Sequence, residues 1–166
     1  MDVKDVCEGF NRALDLELEG EAFYLGCAKK TYNKDGSAMF EHLASEERVH
    51  FNNIAEVYKR LYDEQYCMYV DSKKEYDPSG VFEEKVPGGS LDDMADALDA
   101  LNIAIKAEEN SIDLYNWMSA NAPDDESKIF FEKMVKEEEK HRSILESEAE
   151  FVTETGEFHD FKTVTM

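Results

Sequence analysis

The chain has 166 residues, 42% hydrophobic and 34% charged, a composition that fits one folded domain and excludes a disordered or fibrous protein. Its 39 acidic and 18 basic residues give a formal net charge of −21, so we expect neither nucleic acid nor an anionic membrane as a partner, since both are polyanions. No apolar run reaches the about 20 residues that span a bilayer, and the N-terminus carries no secretory pattern, so a cytoplasmic protein is expected.

Four long helices are predicted, because apolar and small residues recur at steps of three and four along the chain. They cover approximately residues 3–30, 37–62, 91–120 and 126–151. Asn33-Lys34-Asp35-Gly36 is a turn signal between the first two helices. Pro87-Gly88-Gly89 breaks the chain before the third helix, and Ser90-Leu91-Asp92-Asp93 resembles a capping box at its start. The pattern therefore predicts an all-α protein.

A long connection and a polar tail complete the predicted organisation. The expected bundle covers residues 1–152, with hairpins over about 3–62 and 91–151 and a crossover over 63–90, followed by a tail over 153–166. The crossover fits a four-helix bundle in which the second helix returns along the bundle before the third begins. The tail is expected to pack loosely through Phe158, Phe161 and Val164. The cysteines, which lack close partners in sequence and are expected to be reduced, are Cys7, Cys27 and Cys67.

The second hairpin repeats the first. When the sequence is shifted by 91 positions, it aligns with itself without a gap. The identical pairs include Asn11 with Asn102, Glu17 with Glu108, Tyr24 with Tyr115, Phe40 with Phe131, Glu47 with Glu138 and His50 with His141. Two copies of a helical hairpin make a four-helix bundle, so the equivalent residues of both copies are expected to face one interior.

Six polar residues interrupt the apolar stripes at equivalent places in the two halves. They are Glu17, Glu47 and His50 in the first half, and Glu108, Glu138 and His141 in the second. Four inward carboxylates cost several kcal/mol each unless they are protonated or bound to cations, and no inward lysine or arginine matches them in sequence. Two divalent ions would cancel four carboxylate charges, and glutamate oxygens with histidine nitrogens suit iron, manganese or zinc. The pattern therefore predicts a two-metal site.

Two tyrosines are candidate catalytic residues. Tyr24 and Tyr115 each lie seven residues after one of the inward glutamates, two turns along the same face. Two interpretations are open: aromatic core packing, or a phenol that hydrogen-bonds a ligand carboxylate across the bundle. The other histidines, expected at the surface, are His42 and His159. The neighbouring acids, expected to be solvated or to contact the ligands, are Glu46, Glu137 and Glu139.

Two motifs occur once in each half. The first half carries Glu17-x-x-Gly20-x-x-Phe23-Tyr24 and Leu43-Ala44-Ser45-Glu46-Glu47-Arg48-Val49-His50. The second half carries Glu108-x-x-Ser111-x-x-Leu114-Tyr115 and Met134-Val135-Lys136-Glu137-Glu138-Glu139-Lys140-His141. Over residues 5–60 and 96–151 the chain thereby resembles the ferritin-like di-iron proteins, most closely the rubrerythrin family. The resemblance implies two irons bridged by Glu47 and Glu138 and completed by Glu17, His50, Glu108 and His141, with the sharing of these end ligands left open.

The resemblance also implies a function. Rubrerythrins reduce hydrogen peroxide or dioxygen, and many are homodimers. Full-length members carry a rubredoxin module with two Cys-x-x-Cys pairs; this sequence has neither pair, so an external donor such as a rubredoxin-like protein is expected to supply electrons. Peroxidase members place a further glutamate at the position of Ser111. We expect Gly20 and Ser111, both small, to leave space for peroxide beside the metals.

Two other classes of function stay open. A ferroxidase or iron-storage protein of the bacterioferritin type uses the same six ligands but assembles into a closed shell of many subunits. A bundle that holds zinc or manganese without catalysis, or an acidic interaction module, would need no iron. The mass of the assembly and the metal content separate these classes from a di-iron oxidoreductase.

Overall fold

Each long helix begins behind an asparagine or aspartate whose side-chain oxygen accepts a hydrogen bond from the backbone of the first turn. The computed structural model describes residues 3–78, 90–91 and 93–158, and five helices lie in this part of the chain. They are α1 (Val6–Lys30), α2 (Lys34–Leu61), α3 (Asp63–Ser72), α4 (Met94–Ala120) and α5 (Asp125–Thr155). The capping residues of α1, α2, α4 and α5 are Asp5, Asn33, Asp93 and Asp124. The prediction of an all-α bundle is confirmed.

The caps also explain where three predicted helix starts were wrong. Asp5 caps α1, which begins at Val6, three residues later than expected. Asn33 accepts hydrogen bonds from the second and third residues of α2, so the helix begins at Lys34, inside the predicted turn and three residues earlier than expected. Asp93 caps α4 in the same way, and that helix begins at Met94, three residues later than expected. Leu91 is instead buried before the helix, and its N–H donates to the carbonyl of Lys30 at 2.9 Å.

The last helix runs four residues past its predicted end, so the first part of the predicted tail is helical. It stops at Gly156, whose φ of 78° lies in the left-handed region that favours glycine. Phe158 is buried rather than loosely packed, with its ring edge against Phe40 at a centroid distance of 6.0 Å. A Cβ on Gly36 would lie 2.7 Å from Phe158, so this packing requires glycine there. Phe161 and Val164 lie outside the described residues, as do His159 and the predicted break at residues 87–89.

The crossover contains one helix that the sequence did not predict. α3 packs against α2, and its Tyr69 is buried. The Tyr69 hydroxyl donates to the Asp15 carboxylate of α1 at 2.9 Å. A buried tyrosine with a hydrogen-bond partner holds a connection against the bundle, because both the ring and the hydroxyl are satisfied there.

The four long helices form two hairpins that pack into one bundle. α1 packs extensively on α2, and α4 on α5, whereas α1 contacts α4 over a smaller area. Two apolar clusters occupy the two ends of the bundle; their members include Tyr24, Phe40, Leu101 and Leu145 in one and Phe10, Ile54, Tyr58 and Phe131 in the other. The six polar residues fall between these clusters on each of the four long helices, so apolar layers shield them from both ends. In the described part of the chain, no helix is long and apolar enough to cross a membrane.

The three cysteines are unbridged and differ in exposure. Cys27 is buried, Cys7 is half-buried and Cys67 is exposed. Burial raises the pKa of the Cys27 thiol well above its ordinary value, so this side chain stays protonated and packs as a small apolar group.

Candidate metal centre

Six side chains from four helices meet at the middle of the bundle. α1 supplies Glu17, α4 supplies Glu108, and α2 and α5 each supply a glutamate and a histidine one turn apart; these pairs are Glu47 with His50 and Glu138 with His141. None of the six is more than 5% exposed. An interior this dry cannot hold several charged carboxylates without partners, so the cluster must bind protons or cations.

The six side chains form two groups, each around the Nδ1 atom of one histidine. His50 Nδ1 lies 3.2 Å from Glu138 Oε1 and 3.6 Å from Glu17 Oε2. His141 Nδ1 lies 3.1 Å from Glu138 Oε2. The same nitrogen is 3.1 Å from Glu47 Oε1 and 3.5 Å from Glu108 Oε1.

Glu138 belongs to both groups, because one carboxylate oxygen faces each histidine. The two imidazole rings are stacked, with centroids 5.2 Å apart and planes at 18°. One donor atom each from Glu47, His50, Glu138 and His141 lies within 4.8 Å of the others. The arrangement has the geometry of two adjacent cation positions that share carboxylates.

Several polar atoms of the cluster have no hydrogen-bond partner among the described residues. They are Glu17 Oε2, His50 Nδ1 and both carboxylate oxygens of Glu138. Buried polar atoms without partners are rare in folded proteins, because each costs the full penalty of desolvation. All four atoms belong to the two groups described above. Oxygen and nitrogen donors of this kind suit iron, manganese and zinc. The residues therefore fit a pair of divalent ions.

The pKa values of the cluster describe what it does without metal. Burial, together with the charges of Glu17 and Glu138, raises the pKa of Glu47 well above its ordinary range. Burial and the charge of Glu138 raise the pKa of Glu108 to about 7. Burial alone would lower the pKa of His50, but the adjoining carboxylates of Glu138 and Glu17 raise it to about 10. Without cations, the cluster therefore retains protons that free side chains would release at neutral pH.

We expect the metal-free protein to lose stability as the pH rises from about 5 to about 9. The folded pKa of Glu108 lies above its ordinary 4.5, so its contribution to the free energy of unfolding is complete below pH 4.5 and is lost as the pH passes about 7. The contribution of His50 is complete below its ordinary 6.5 and is lost toward about 10. Calorimetry of chelator-treated protein at several pH values measures this trend. A melting temperature that rises through the window would contradict it.

Each candidate tyrosine donates a hydrogen bond to the glutamate of the other half. The Tyr24 hydroxyl donates to Glu108 Oε1, and the Tyr115 hydroxyl donates to Glu17 Oε1. Both tyrosines are at most 2% exposed and also pack in the apolar clusters. Burial and the charge of the carboxylate that accepts the hydrogen bond raise the pKa of both phenols well above 10, so the phenols remain donors. Packing and hydrogen bonding, which the sequence left as alternatives, therefore occur together.

The Tyr24→Phe and Tyr115→Phe variants should each bind metal about 10–100-fold more weakly, because a carboxylate in the cluster loses its hydrogen-bond donor. Competition against a coloured chelator measures the affinity. Tyr32→Phe is a matched control, since that side chain is 79% exposed. Equal affinities for wild type and the double variant would show that the two phenols serve only packing.

Glu46 contacts the cluster from outside, a role that the sequence did not assign to it in particular. His141 Nε2 lies 2.5 Å from Glu46 Oε2, on the opposite side of the ring from the cluster. The second oxygen of Glu46 is 3.0 Å from His42 Nε2, so His42 is half-buried and contacts Glu46, in contrast to the surface position that the sequence suggested. A carboxylate on the outer nitrogen of a metal-binding histidine fixes the ring and directs the other nitrogen inward. Its position directly before Glu47 is the sequence signal that could have revealed it.

Glu137 occupies the equivalent position on α5. It is half-buried and lines a groove between α2 and α5 together with Glu46 and His50. One donor atom of each of these three residues lies within 4.8 Å of the others. Glu139, in contrast, is exposed. The sequence left open whether each neighbouring acid is solvated or contacts the ligands. In the structure Glu139 is exposed to solvent, whereas Glu46 and Glu137 lie beside histidines of the cluster.

The fold and the site define a class: a ferritin-like four-helix bundle with a buried carboxylate and histidine cluster that fits a metal pair. A model of the rubrerythrin family matches residues 8–95, just over half of the chain, and the chain belongs to this family. The matched segment covers all but the first two residues of α1 and all of α2 and α3, with Glu17, Glu47 and His50. The second-half residues of the cluster are related to it by the internal repeat. No curated protein matches the chain in a sequence comparison.

Proposed function

We propose that this protein is a di-iron oxidoreductase of the rubrerythrin type, which reduces hydrogen peroxide or dioxygen with electrons from an external donor. The observation that carries the proposal is the pair of buried histidine and carboxylate groups that share Glu138. Six donor side chains, four of them carboxylates, balance two divalent ions in charge. A bundle without a metal function would gain stability from apolar residues at these positions.

The distances support a particular distribution of ligands. Glu17 would be the terminal ligand of the metal position at His50, and Glu108 that of the position at His141. Each carboxylate approaches the Nδ1 atom of its histidine within 3.6 Å. Glu138 would bridge, since its two oxygens face the two histidines. Glu47 would be the second bridge, in keeping with its donor atom within 4.8 Å of both histidines.

Two ferrous ions, when bound there, supply the two electrons that cleavage of an O–O bond requires. The protein provides the surroundings. The apolar clusters above and below shield the site from water at both ends of the bundle. Tyr24 and Tyr115 orient the carboxyl groups of Glu108 and Glu17 through their hydrogen bonds. Glu46 keeps His141 with Nδ1 directed inward. Each of these residues maintains the geometry of the donors while the charge of the site changes.

The test is anaerobic titration of ferrous-loaded protein with hydrogen peroxide. One peroxide should oxidise about two irons per chain, because the O–O bond accepts two electrons. A reduced rubredoxin-like protein should then restore the ferrous state, so that peroxide is consumed repeatedly. Oxidation no faster than that of free ferrous iron in the same buffer would refute the proposal. The mass of the assembly is measured in parallel, since a closed shell of many subunits would indicate iron storage.

A further inference from the structure

A cavity lies between α1 and α4, directly beside the cluster of carboxylates and histidines. Its volume is about 110 Å³. Most of its wall is apolar, from Leu16, Phe23, Ile103, Ala104 and Ala107. Polar groups also line it toward solvent, where Arg12 and Asn110 are exposed and Glu19 is half-buried. Here α1 and α4 pack less closely on each other than the helices within each hairpin do.

The inner end of the cavity reaches two residues of the cluster, Glu47 and Glu108. Position 20 controls access to the first of them: a Cβ added to Gly20 would lie 3.0 Å from Glu47 Oε2 and 3.3 Å from its Cδ. Ser111, the repeat equivalent of Gly20, lines the cavity beside Glu108 with a similarly small side chain. The carboxylates are therefore open to this cavity because both equivalent positions carry small residues.

A groove also approaches the cluster between α2 and α5. It is lined by Glu46, Glu137 and Lys133 beside His50, and by Val49, Phe130 and Met134. His50 is the one residue of the cluster that lines the groove, whereas the cavity between α1 and α4 reaches two carboxylates of the cluster and has aliphatic side chains beside them. The cavity is therefore the one placed to hold an organic group next to the carboxylates, and the groove supplies an internal comparison.

We propose that the cavity between α1 and α4 binds the alkyl group of a short-chain organic hydroperoxide, so that the protein reduces alkyl hydroperoxides as well as hydrogen peroxide. This inference rests on the proposed function. A cavity of ~150 Å³ with aliphatic walls accepts benzene, and one water takes up ~30 Å³ of liquid, so 110 Å³ exceeds what hydrogen peroxide needs and suits a group of a few carbons. The hydroperoxide end then lies toward Glu47 and Glu108.

The reaction balances as a two-electron reduction. ROOH takes two electrons, which two ferrous ions supply in becoming ferric, and two protons from solvent. The O–O bond breaks, the alkoxy oxygen leaves as ROH, and the terminal oxygen leaves as water. The apolar wall adds binding energy for R that hydrogen peroxide cannot use, so it affects the two substrates differently.

Xenon tests the cavity without any turnover. Crystals of wild-type protein under xenon pressure should show a bound atom between α1 and α4, because apolar cavities of this size take up xenon. Ala107→Leu and Ser111→Leu should each remove it by filling the space. Ala107 is exposed at the cavity edge, so its variant should fold even if the more buried Ser111 does not tolerate leucine. An unfilled cavity in wild type would overturn the proposal.

The second measurement compares tert-butyl hydroperoxide with hydrogen peroxide on ferrous-loaded protein. We expect both to oxidise the iron in wild type, and we expect the ratio of their rate constants to fall by about tenfold or more in Ala107→Leu. Asn53→Leu, at the exposed edge of the groove between α2 and α5, is the matched control and should leave the ratio unchanged.

The outcomes separate the two proposals. If neither peroxide oxidises the iron, the proposed function fails, whereas the xenon result still reports on the cavity. If hydrogen peroxide reacts and tert-butyl hydroperoxide does not, only the present inference is wrong. It is also wrong if Ala107→Leu leaves the ratio at the wild-type value, or if Asn53→Leu lowers it instead.

Discussion

Glu138→Gln should reduce metal binding from about two ions per chain to nearly none. Glu138 faces both histidines, with Oε1 3.2 Å from His50 Nδ1 and Oε2 3.1 Å from His141 Nδ1. Glutamine keeps the size of the side chain but removes its charge and replaces one oxygen donor by an amide nitrogen that cannot bind a cation. One position therefore loses its ligand and the other keeps only a neutral carbonyl oxygen, so a single substitution weakens both. Elemental analysis after loading with ferrous iron under anaerobic conditions measures the content.

Two further variants define the specificity of this result. Glu139→Gln makes the same change at the next residue, which is exposed, and should keep about two ions. Glu17→Gln should keep about one ion, because Glu17 approaches only one of the two histidines of the cluster, His50, at 3.6 Å. If Glu138→Gln retained two ions, Glu138 would not be a shared ligand, and the assignment of the bridge would be wrong.

Removal of the metal should lower the melting temperature at pH 8 by about 15 °C or more. A ligand present at about 1,000 times its Kd adds about 4 kcal/mol of stability per site, and about 1 kcal/mol shifts the melting temperature of a domain of this size by about 2–4 °C. The effect should shrink at pH 5.5, because protons then compete for the carboxylates and histidines. Calorimetry of iron-loaded and chelator-treated protein under anaerobic conditions measures the difference.

Glu138→Gln is also the control for this second prediction. Its melting temperature should be the same with and without chelator, since the stabilising ions are already absent. A wild-type protein that melted at one temperature regardless of metal would contradict the electrostatic argument, because the buried cluster would then be equally well compensated by protons alone. In that event the bundle would be better described as a protonated carboxylate and histidine network.

The buried cluster explains why the metal-free protein should depend so strongly on pH. Metal ions and protons compete for the same buried atoms, and in this cluster burial and like charges favour protons on Glu47 and Glu108 at neutral pH. Loading the site therefore releases protons and becomes more favourable as the pH rises. Stability of the metal-free form and affinity for metal consequently change in opposite directions with pH.

The sequence predicted much of the site because the repeat supplied a second, independent copy of each signal. A single Glu-x-x-His in a glutamate-rich helix carries little information, but Glu47 with His50 recurs at Glu138 with His141 after 91 positions. All four residues, with Glu17 and Glu108, are buried at one place in the structure. Their roles as ligands remain predictions, for which the variants above are the test.

Other features could not be predicted, because they depend on neighbours that are remote in sequence. For Tyr24 the sequence left a hydrogen bond across the bundle open beside core packing, and only the structure shows that the hydroxyl bonds to Glu108 on another helix. The contact between Glu46 and His141 likewise joins α2 to α5. Helix α3 was missed because its charged residues obscure the apolar period, and its Tyr69 is buried through contacts with other helices, including a hydrogen bond to Asp15 of α1.

The sequence alone determined the helical hairpins, their duplication and the six polar residues that interrupt the apolar stripes, because periodicity and repetition are local or internal properties of a chain. Only the tertiary structure decided which carboxylate approaches which histidine, that Glu138 reaches both, and that a cavity remains between α1 and α4. These depend on the rotation and separation of packed helices, which are set by side-chain packing across the bundle rather than by the spacing of residues along any one helix.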